Sequence, residues 1–387
     1  MNEFIDIIKK RILFFVGESY LMFFYFYLFL MMISRKKNEQ KDIDIAFFPY
    51  SSPSSIGTFL RITQYHKLLE EKKISYKCFY CITDEEERTI EHLSTLRLYF
   101  LYSKMLYRRI KAINNAKRAR IAFIQRAMFP FYTNQKNPLM EKILKKQGCF
   151  VIIDFWDSVW EKNKVLTDNT AIVANQIMVS NRFLFDYFAP LNQNVKIFNI
   201  AINRHNYIRK HDYSIKKPIK LAYIGYPANV YKFIRLFEPI AVELKKAIDF
   251  KLVIISNGTY KIPYCDVEFF PFNYNDYSKL LSLCDIGLYL VEMNKLSKGK
   301  SAMKVLDYLA SGLPVVASPW GIYDFEDNVH LLFAENNEMF VEKILALVNN
   351  IKLRIKLTDN AQKMIAENFS VEKSIKVYEN LCNKLLK

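Results

Sequence analysis

The stretch Ser301 to Gly321, SAMKVLDYLASGLPVVASPWG, constrains this chain more than any other segment. A helix carrying Lys304 and Asp307 is stopped by Gly312, and Pro314 and the β-branched pair Val315-Val316 follow at once. Glycine supplies the left-handed residue that ends a helix, and proline cannot extend one. The unit predicted is therefore helix, tight turn, buried parallel strand. It presents a cation and a carboxylate at i, i+3 spacing, neighbours on one helix face. A nucleotide-sugar site needs that pairing: a positive charge for a diphosphate and an acceptor for ribose hydroxyls.

The rest of the chain supplies the frame for such a unit. Its 387 residues are enough for two domains of ordinary size. With 51% hydrophobic and 25% charged residues it is globular, not disordered. Strands are expected at Asp44 to Pro49, Ile74 to Cys81, Ile121 to Gln125, Cys149 to Phe155, Gln176 to Val179 and Val195 to Ile200. Helices fall between them, at Thr58 to Glu71 and around Phe183 to Phe188 for example. Short apolar runs separated by helices mean a parallel, doubly wound α/β sheet. Ligands of such sheets bind beyond the carboxyl ends of the strands. The candidates there are Ser54, Ser55 and Gly57 after the first strand, then Gln125 with Arg126, and Asp154 with Asp157. For Asp157, capping of the next helix and a role at the site both remain open.

Arg204 to Lys217 is polar and basic, and reads as a linker. A second doubly wound unit begins with the strand Ile219 to Gly225, which turns into a helix carrying Lys232 and Arg235. A strand ending in glycine that feeds a helix N-terminus welcomes a diphosphate through backbone N–H groups. Further strands are expected at Phe250 to Ser256, Val267 to Phe270 and Asp285 to Leu290. The loop from Glu292 to Met303 carries Lys295, Lys298 and Lys300 with Gly299, just before the helix of Lys304. It reads as a phosphate grip, with a merely solvated loop as the alternative.

Lys304, Asp307, Tyr308, Ala310, Gly312, Pro314, Val315 and Val316 resemble, in order and spacing, the pattern K-x-x-E-Y-x-A-x-G-x-P-V-V. That pattern belongs to the C-terminal half of the group 1 (family 4) glycosyltransferases of GT-B fold. The resemblance is strong from Ile219 onward and weak before it. It implies two Rossmann-like domains with an interdomain cleft. Residues 41–204 would bind the acceptor and 205–369 the nucleotide sugar, while 370–387 would form a helix crossing back to the first domain. It further implies transfer of a sugar from a nucleotide-diphosphate donor to a glycan or lipid-linked acceptor, with retained configuration and no metal or other cofactor. Lys304, aided by Lys298 or Lys300, would stabilise the charge of the leaving group, and Asp307 would hold the ribose. Gly225, Lys232, Arg235 and Gly299 complete the donor side. Lys304, Lys300 and Asp157 are the catalytic candidates; Ser55, Gly57, Gln125, Arg126 and Asp154 are the acceptor side.

Two departures stand out. Gly299 occupies a position where the family commonly has a glutamate, and Asp307 is one methylene shorter than the usual glutamate. A subset of the family with a lysine-glycine-lysine loop is closer to this chain. The departures leave the sugar open and keep one rival in play, a GT-B-like binding protein without transferase activity.

The net charge of +17 points to an anionic partner. A nucleic-acid-binding protein is set aside because no RNP, helix-turn-helix or zinc-finger pattern occurs. An anionic membrane surface is favoured instead. Tyr20 to Ile33 is fourteen apolar residues without a break, with Lys9-Lys10-Arg11 before it and Arg35-Lys36-Lys37 after. A full span needs about 20 such residues, so residues 1–40 read as a membrane-associating segment that either spans or lies in the interface, with a buried helix packed on the first domain as the alternative. Arg97 to Arg126 has nine basic residues and no acidic one, with Lys104, Arg108, Arg109 and Lys111 interleaved with apolar positions. That pattern suits a basic amphipathic helix on anionic lipid, or else a solvated face. The place expected is the cytoplasmic face of a membrane, the inner one if the source is bacterial. Six scattered cysteines and five separated histidines suggest reduced thiols and no metal cluster. The Asp42-Ile43-Asp44 triplet lies at the start of the first strand, the wrong end for a ligand.

Overall fold

The computed structural model describes residues 19, 21–28, 30, 40–129, 136–258 and 260–386. It holds two compact units: the residues up to Phe198 with those from Ile375 onward, and Asn199–Ser374. Each is a six-stranded sheet in which every pairing is parallel.

The first sheet runs β2-β1-β3-β4-β5-β6, from β1 (Ile43–Phe48), β2 (Tyr76–Cys78), β3 (Ala119–Gln125), β4 (Phe150–Phe155), β5 (Gln176–Val179) and β6 (Val195–Ile197). Parallel strands are covered on both faces, which is why residues 45–48 of β1 and 150–153 of β4 read as continuous apolar runs and not as alternating ones. Val151, Ile152 and Ile153 are all fully buried. Phe47 of β1 lies opposite Cys78 of β2 and Phe123 of β3, and Gln125 lies opposite Asp154.

Arg61, the last residue of the helix Ile56–Arg61, is fully buried beside Asp154 at the end of β4. Its Nε donates to Asp154 Oδ2 at 2.9 Å, a second nitrogen donates to Oδ1, and a third reaches the Phe198 carbonyl at 2.8 Å. The last helix, Val371–Leu386, contributes Tyr378, whose hydroxyl donates to the Arg61 carbonyl at 2.8 Å. The Tyr378 ring sits between 5.3 and 5.8 Å from those of Tyr65, Phe47, Phe123 and Phe198. One ion pair thus ties helix, strand, β6 exit and C-terminal helix together.

The second sheet runs β12-β11-β10-β7-β8-β9, from β7 (Ile219–Ile224), β8 (Phe250–Ile255), β9 (Asp266–Phe270), β10 (Ile286–Tyr289), β11 (Val315–Ala317) and β12 (Leu332–Phe333). The order reverses between β7 and β10, and that switch point is where an open sheet of this kind takes its ligand.

Two expectations need correction. The helix expected over Thr58 to Glu71 breaks at Ile62 (φ −135°, ψ −67°) into Ile56–Arg61, a 3-10 turn and His66–Glu71. Apolar spacing could not reveal the break, since Leu60, Ile62, Tyr65 and Leu69 are buried on either side of it. The basic stretch from Arg97 is largely compensated. Arg109 is buried and donates to the carbonyls of Met128, Phe79 and Pro49; Lys104 and Arg108 meet Glu86; Arg118 and Arg120 meet Asp42 and Asp44; Arg126 meets Asp157. These acids lie elsewhere in the sequence, so a local window sees only the cations. Among the described residues no helix is long and apolar enough to cross a membrane. Residues 1–18, 20, 29 and 31–39 of the expected membrane segment lie outside the described residues.

Arg61→Ala should destabilise the protein by about 3–5 kcal/mol, because it strands the Asp154 carboxylate in a dry interior. Urea unfolding would measure it. The double variant Arg61→Ala/Asp154→Ala should be less destabilised than the sum of the two single ones.

Candidate active site

The helix Met303–Ala310 ends as the sequence requires. Gly312 has φ +79°, its N–H donates to the Leu309 carbonyl at 3.0 Å, and the Leu313 N–H donates to the Tyr308 carbonyl at 2.9 Å. That is the Schellman arrangement, and it turns the chain straight into β11. Tyr308 packs over Gly287 of β10 and accepts from the Ile224 N–H at 3.0 Å, so the helix is fixed against the ends of β7 and β10. Lys304, one turn earlier, consequently projects toward the carboxyl end of β7.

There it meets Gly225 and Tyr223. The ammonium donates to the Tyr223 hydroxyl at 2.8 Å and lies 4.6 Å from the centre of that ring. A Cβ on Gly225 would come within 3.1 Å of Lys304 Nζ, so the close approach depends on glycine. Burial, with the neighbouring Lys300 second, lowers the Lys304 ammonium to about 7, and the pull of Asp307 only partly opposes this. For Lys304, burial and the like charge of Lys300 thus outweigh the pull of Asp307, and an anion placed beside it would favour the ammonium.

Asp307 is 6% exposed. Its Oδ1 accepts from the Tyr207 hydroxyl at 2.7 Å and the Tyr277 hydroxyl at 3.0 Å, and the two tyrosine oxygens are 2.9 Å apart. Burial raises this carboxyl to about 7 against the two tyrosine hydrogen bonds and Lys304. Those hydrogen bonds hold a carboxylate in place.

The lysine loop forms the short helix Lys295–Lys298, capped by Asn294, with Gly299 at its end in an ordinary conformation (φ −87°). Lys298 Nζ lies 4.4 Å above the Trp320 ring, and its carbonyl accepts from the Tyr323 hydroxyl at 2.9 Å. Of the expected donor residues, Gly225, Lys300 and Lys304 come together. Lys232 is exposed, and Arg235 is 74% exposed with its nearest carboxylate, Glu292, at 3.7 Å.

At the strand ends of the first unit the expected residues divide. Asp154 has both oxygens on Arg61 and is fully buried, which gives it a framework role. Gln125 is 1% exposed; its Oε1 accepts from the Tyr50 N–H at 2.9 Å and its Nε2 donates to the Gly57 carbonyl at 3.1 Å. It shapes the loops around it. Ser55 precedes the helix Ile56–Arg61 without a side-chain cap, while Ser54 is held by Asp84. Arg126 and Asp157 remain within reach of solvent, at 18% and 37% side-chain exposure, and pair at 2.6 Å. Asp157 does not cap the following helix, which begins after Val159. Arg126 is left-handed (φ +64°), a strained state for a residue with a side chain. Its guanidinium lies 4.3 Å from the Tyr50 ring and 5.4 Å from Trp156.

Sequence reading missed Tyr223, Tyr207, Tyr277, Tyr50, Trp156 and Trp320. Tyr223 and Trp156 stand at or just past the ends of strands, a position that could have drawn attention. Tyr207 lies inside the expected linker and carried no signal at all.

Residues 235–380 match the model of the family described as Glycosyl transferase-like. Among solved structures, TarM is similar at 16% identity over 74% of this chain and 60% of that one, with a TM-score of 0.55. HepE of Anabaena, solved with UDP and glucose, has 11% identity over 89% of this chain and 100% of its own, with a TM-score of 0.60. Sucrose-phosphate synthase from Thermosynechococcus elongatus has 12% identity over 89% and 99%, with a TM-score of 0.62. At such identities the likeness is one of fold. These proteins have the GT-B fold, and with the family match they bear out the resemblance to the group 1 glycosyltransferases.

In a titration followed by NMR of isotope-labelled lysine side chains, one lysine should show a midpoint near 7. That signal should vanish in Lys304→Met and move upward in Lys300→Met, because removing a like charge favours the ammonium.

Proposed function

We propose that this group 1-like protein of GT-B fold transfers a sugar from a nucleotide-diphosphate donor, bound by Asn199–Ser374, to an acceptor bound by the first unit. The observation that carries the reading is the Lys304 ammonium, backed by Lys300 and brought against the glycine end of β7 with little compensating charge. A diphosphate supplies the missing negative charge, and the β-phosphate of the leaving nucleotide gains more of it as the glycosidic bond breaks. A cation fixed in advance and partly shielded from water stabilises that change more than it stabilises the bound donor. The UDP in HepE makes a uridine nucleotide the first donor to test.

Asp307 takes the ribose side, with its carboxylate oriented by Tyr207 and Tyr277. On the acceptor side Arg126 and Asp157, flanked by Tyr50 and Trp156, form the polar contact for a glycan or the glycan part of a lipid-linked acceptor. The reaction retains configuration, needs no metal, serves surface polysaccharide synthesis and takes place at the cytoplasmic face of a membrane. These finer statements rest on the family resemblance, the charge of +17 and the apolar N-terminal stretch. Asp42 and Asp44 face Arg118 and Arg120 at the amino end of β1, so the one DxD-like triplet sits away from the ligand end.

Incubation with a panel of nucleotide sugars, read as release of the free nucleotide, tests the reading. Lys304→Ala should lose about 2–4 kcal/mol of transition-state stabilisation, roughly thirtyfold to a thousandfold in turnover, with a melting temperature no lower than the wild type's. Chelator should leave the wild-type rate intact; a loss restored by manganese would overturn the metal-free reading.

UDP affinity should also fall as pH rises above 7, where the Asp307 carboxyl is already mostly ionised and Lys304 continues to lose its charge. The free Lys304 ammonium titrates there, whereas the diphosphate-bound one is held protonated, so binding takes up a proton. Calorimetry in buffers of different ionisation heat should register that proton, with affinity dropping by up to about tenfold per pH unit. Lys304→Met should flatten the profile.

A further inference from the structure

Residues 21–28 are helical, and the two sides of this helix differ in what they touch, not in polarity. Leu21 and Leu28 are fully buried in the core of the first unit, and Phe24 and Tyr25 pack against the same cluster. Met22 (68%), Phe23 (69%), Phe26 (59%) and Tyr27 (46%), with Leu30 (46%) beyond them, are exposed. At about 100° per residue these five fill one continuous arc of about 140°, and the two buried leucines with the partly buried Phe24 and Tyr25 fill the opposite side. An outward face without a single charge, carrying two phenylalanines and a tyrosine, is not a solvated surface.

We propose that this face lies in the plane of an anionic bilayer, with Met22, Phe23, Phe26 and Leu30 in the boundary between headgroups and acyl chains and Tyr27 at its edge. The inference deepens the membrane placement proposed above and does not depend on the transferase reading. Three observations fix the occupant and the orientation. The buried seam from Leu21 to Leu28 runs along the helix, so the helix is a fixed wall of the first unit; standing it across a bilayer would tear that seam out of the core. Second, the sequence places Lys9-Lys10-Arg11 and Arg35-Lys36-Lys37 on either side, within a chain of net charge +17, which selects anionic lipid over an apolar protein groove. Third, the helix Thr95–Ala116, whose inner side enters the same core, also exposes Leu96 (63%), Phe100 (72%) and Tyr107 (62%). Its cations Lys104 and Arg108 are taken by Glu86, so insertion of apolar side chains, not a basic helix, carries the contact.

The test uses the full chain with vesicles of phosphatidylcholine alone and with about a quarter phosphatidylglycerol. The wild type should sediment with the anionic vesicles and keep part of that binding at high salt, since insertion of apolar groups is not screened. Phe23→Ser/Phe26→Ser replaces two exposed side chains and should keep its melting curve and UDP binding while losing vesicle affinity by at least about tenfold. Tryptophans introduced one at a time at Met22, Phe26 and Leu30 should show added quenching by brominated lipids at one common shallow depth. A spanning helix would spread the three over about 12 Å of depth, and that result would overturn the in-plane placement. So would vesicle binding unchanged in the double serine variant, or no vesicle binding by the wild type. A double serine variant that turns a dimer into a monomer without touching vesicle binding would assign the face to a second copy instead. Reading UDP binding alongside separates a failure of this proposal from a failure of the transferase reading.

Discussion

The pairing of Arg61 with Asp154 governs what the first unit can do. Two opposite charges with no exposure are held by two hydrogen bonds between them and one to the Phe198 carbonyl, with Tyr378 donating to the Arg61 backbone carbonyl. The arrangement consumes the carboxylate that strand position alone would make the best acceptor ligand. What remains at the strand ends is the neighbouring pair, Arg126 with Asp157, which is half open and held by a strained backbone. A sheet of this kind delivers several polar residues to its carboxyl edge, and burial decides which become framework and which stay available.

The second unit solves the opposite problem. There a cation is brought in from water without a full partner. Asp307 is the carboxylate that attracts Lys304, yet its Oδ1 is occupied by two tyrosine hydroxyls, and that attraction is outweighed by burial and by Lys300. The tyrosine pair thus does two things at once. It orients the carboxylate, and it diverts part of that carboxylate's negative charge away from the lysine. A mobile anion then meets a cation whose compensation is incomplete.

Much of this was legible in the sequence because it was local. The doubly wound order of both sheets follows from short apolar runs alternating with helices. The turn at Gly312 follows from the need for a left-handed residue before Pro314, and the Lys304–Asp307 spacing from helical geometry. What could not be read was non-local. Arg109 looked like one of four surface cations and is instead the buried fastener of three carbonyls, drawn from segments up to 60 residues away. The acids that neutralise Arg108, Arg118 and Arg120 come from other parts of the chain, and Tyr207 reaches Asp307 from a segment that read as linker. A one-dimensional window registers charge and periodicity; it cannot register which groups will share a dry interior.

Gly299 and Asp307, the two departures from the family pattern, bear on the rival reading, a binding protein without chemistry. Neither removes the cation. Shortening glutamate to aspartate draws the carboxylate back toward its own helix, where Tyr207 and Tyr277 meet it, and glycine for glutamate takes a negative charge out of the lysine loop. Both changes leave the loop and the helix more positive toward a ligand. Holding Lys304 against Lys300 under partial burial costs stability that a neutral side chain would spare. A protein that only recognised a neutral sugar would gain nothing from that arrangement. Stabilising charge that develops on a departing diphosphate requires it, because the field must be in place before the bond breaks.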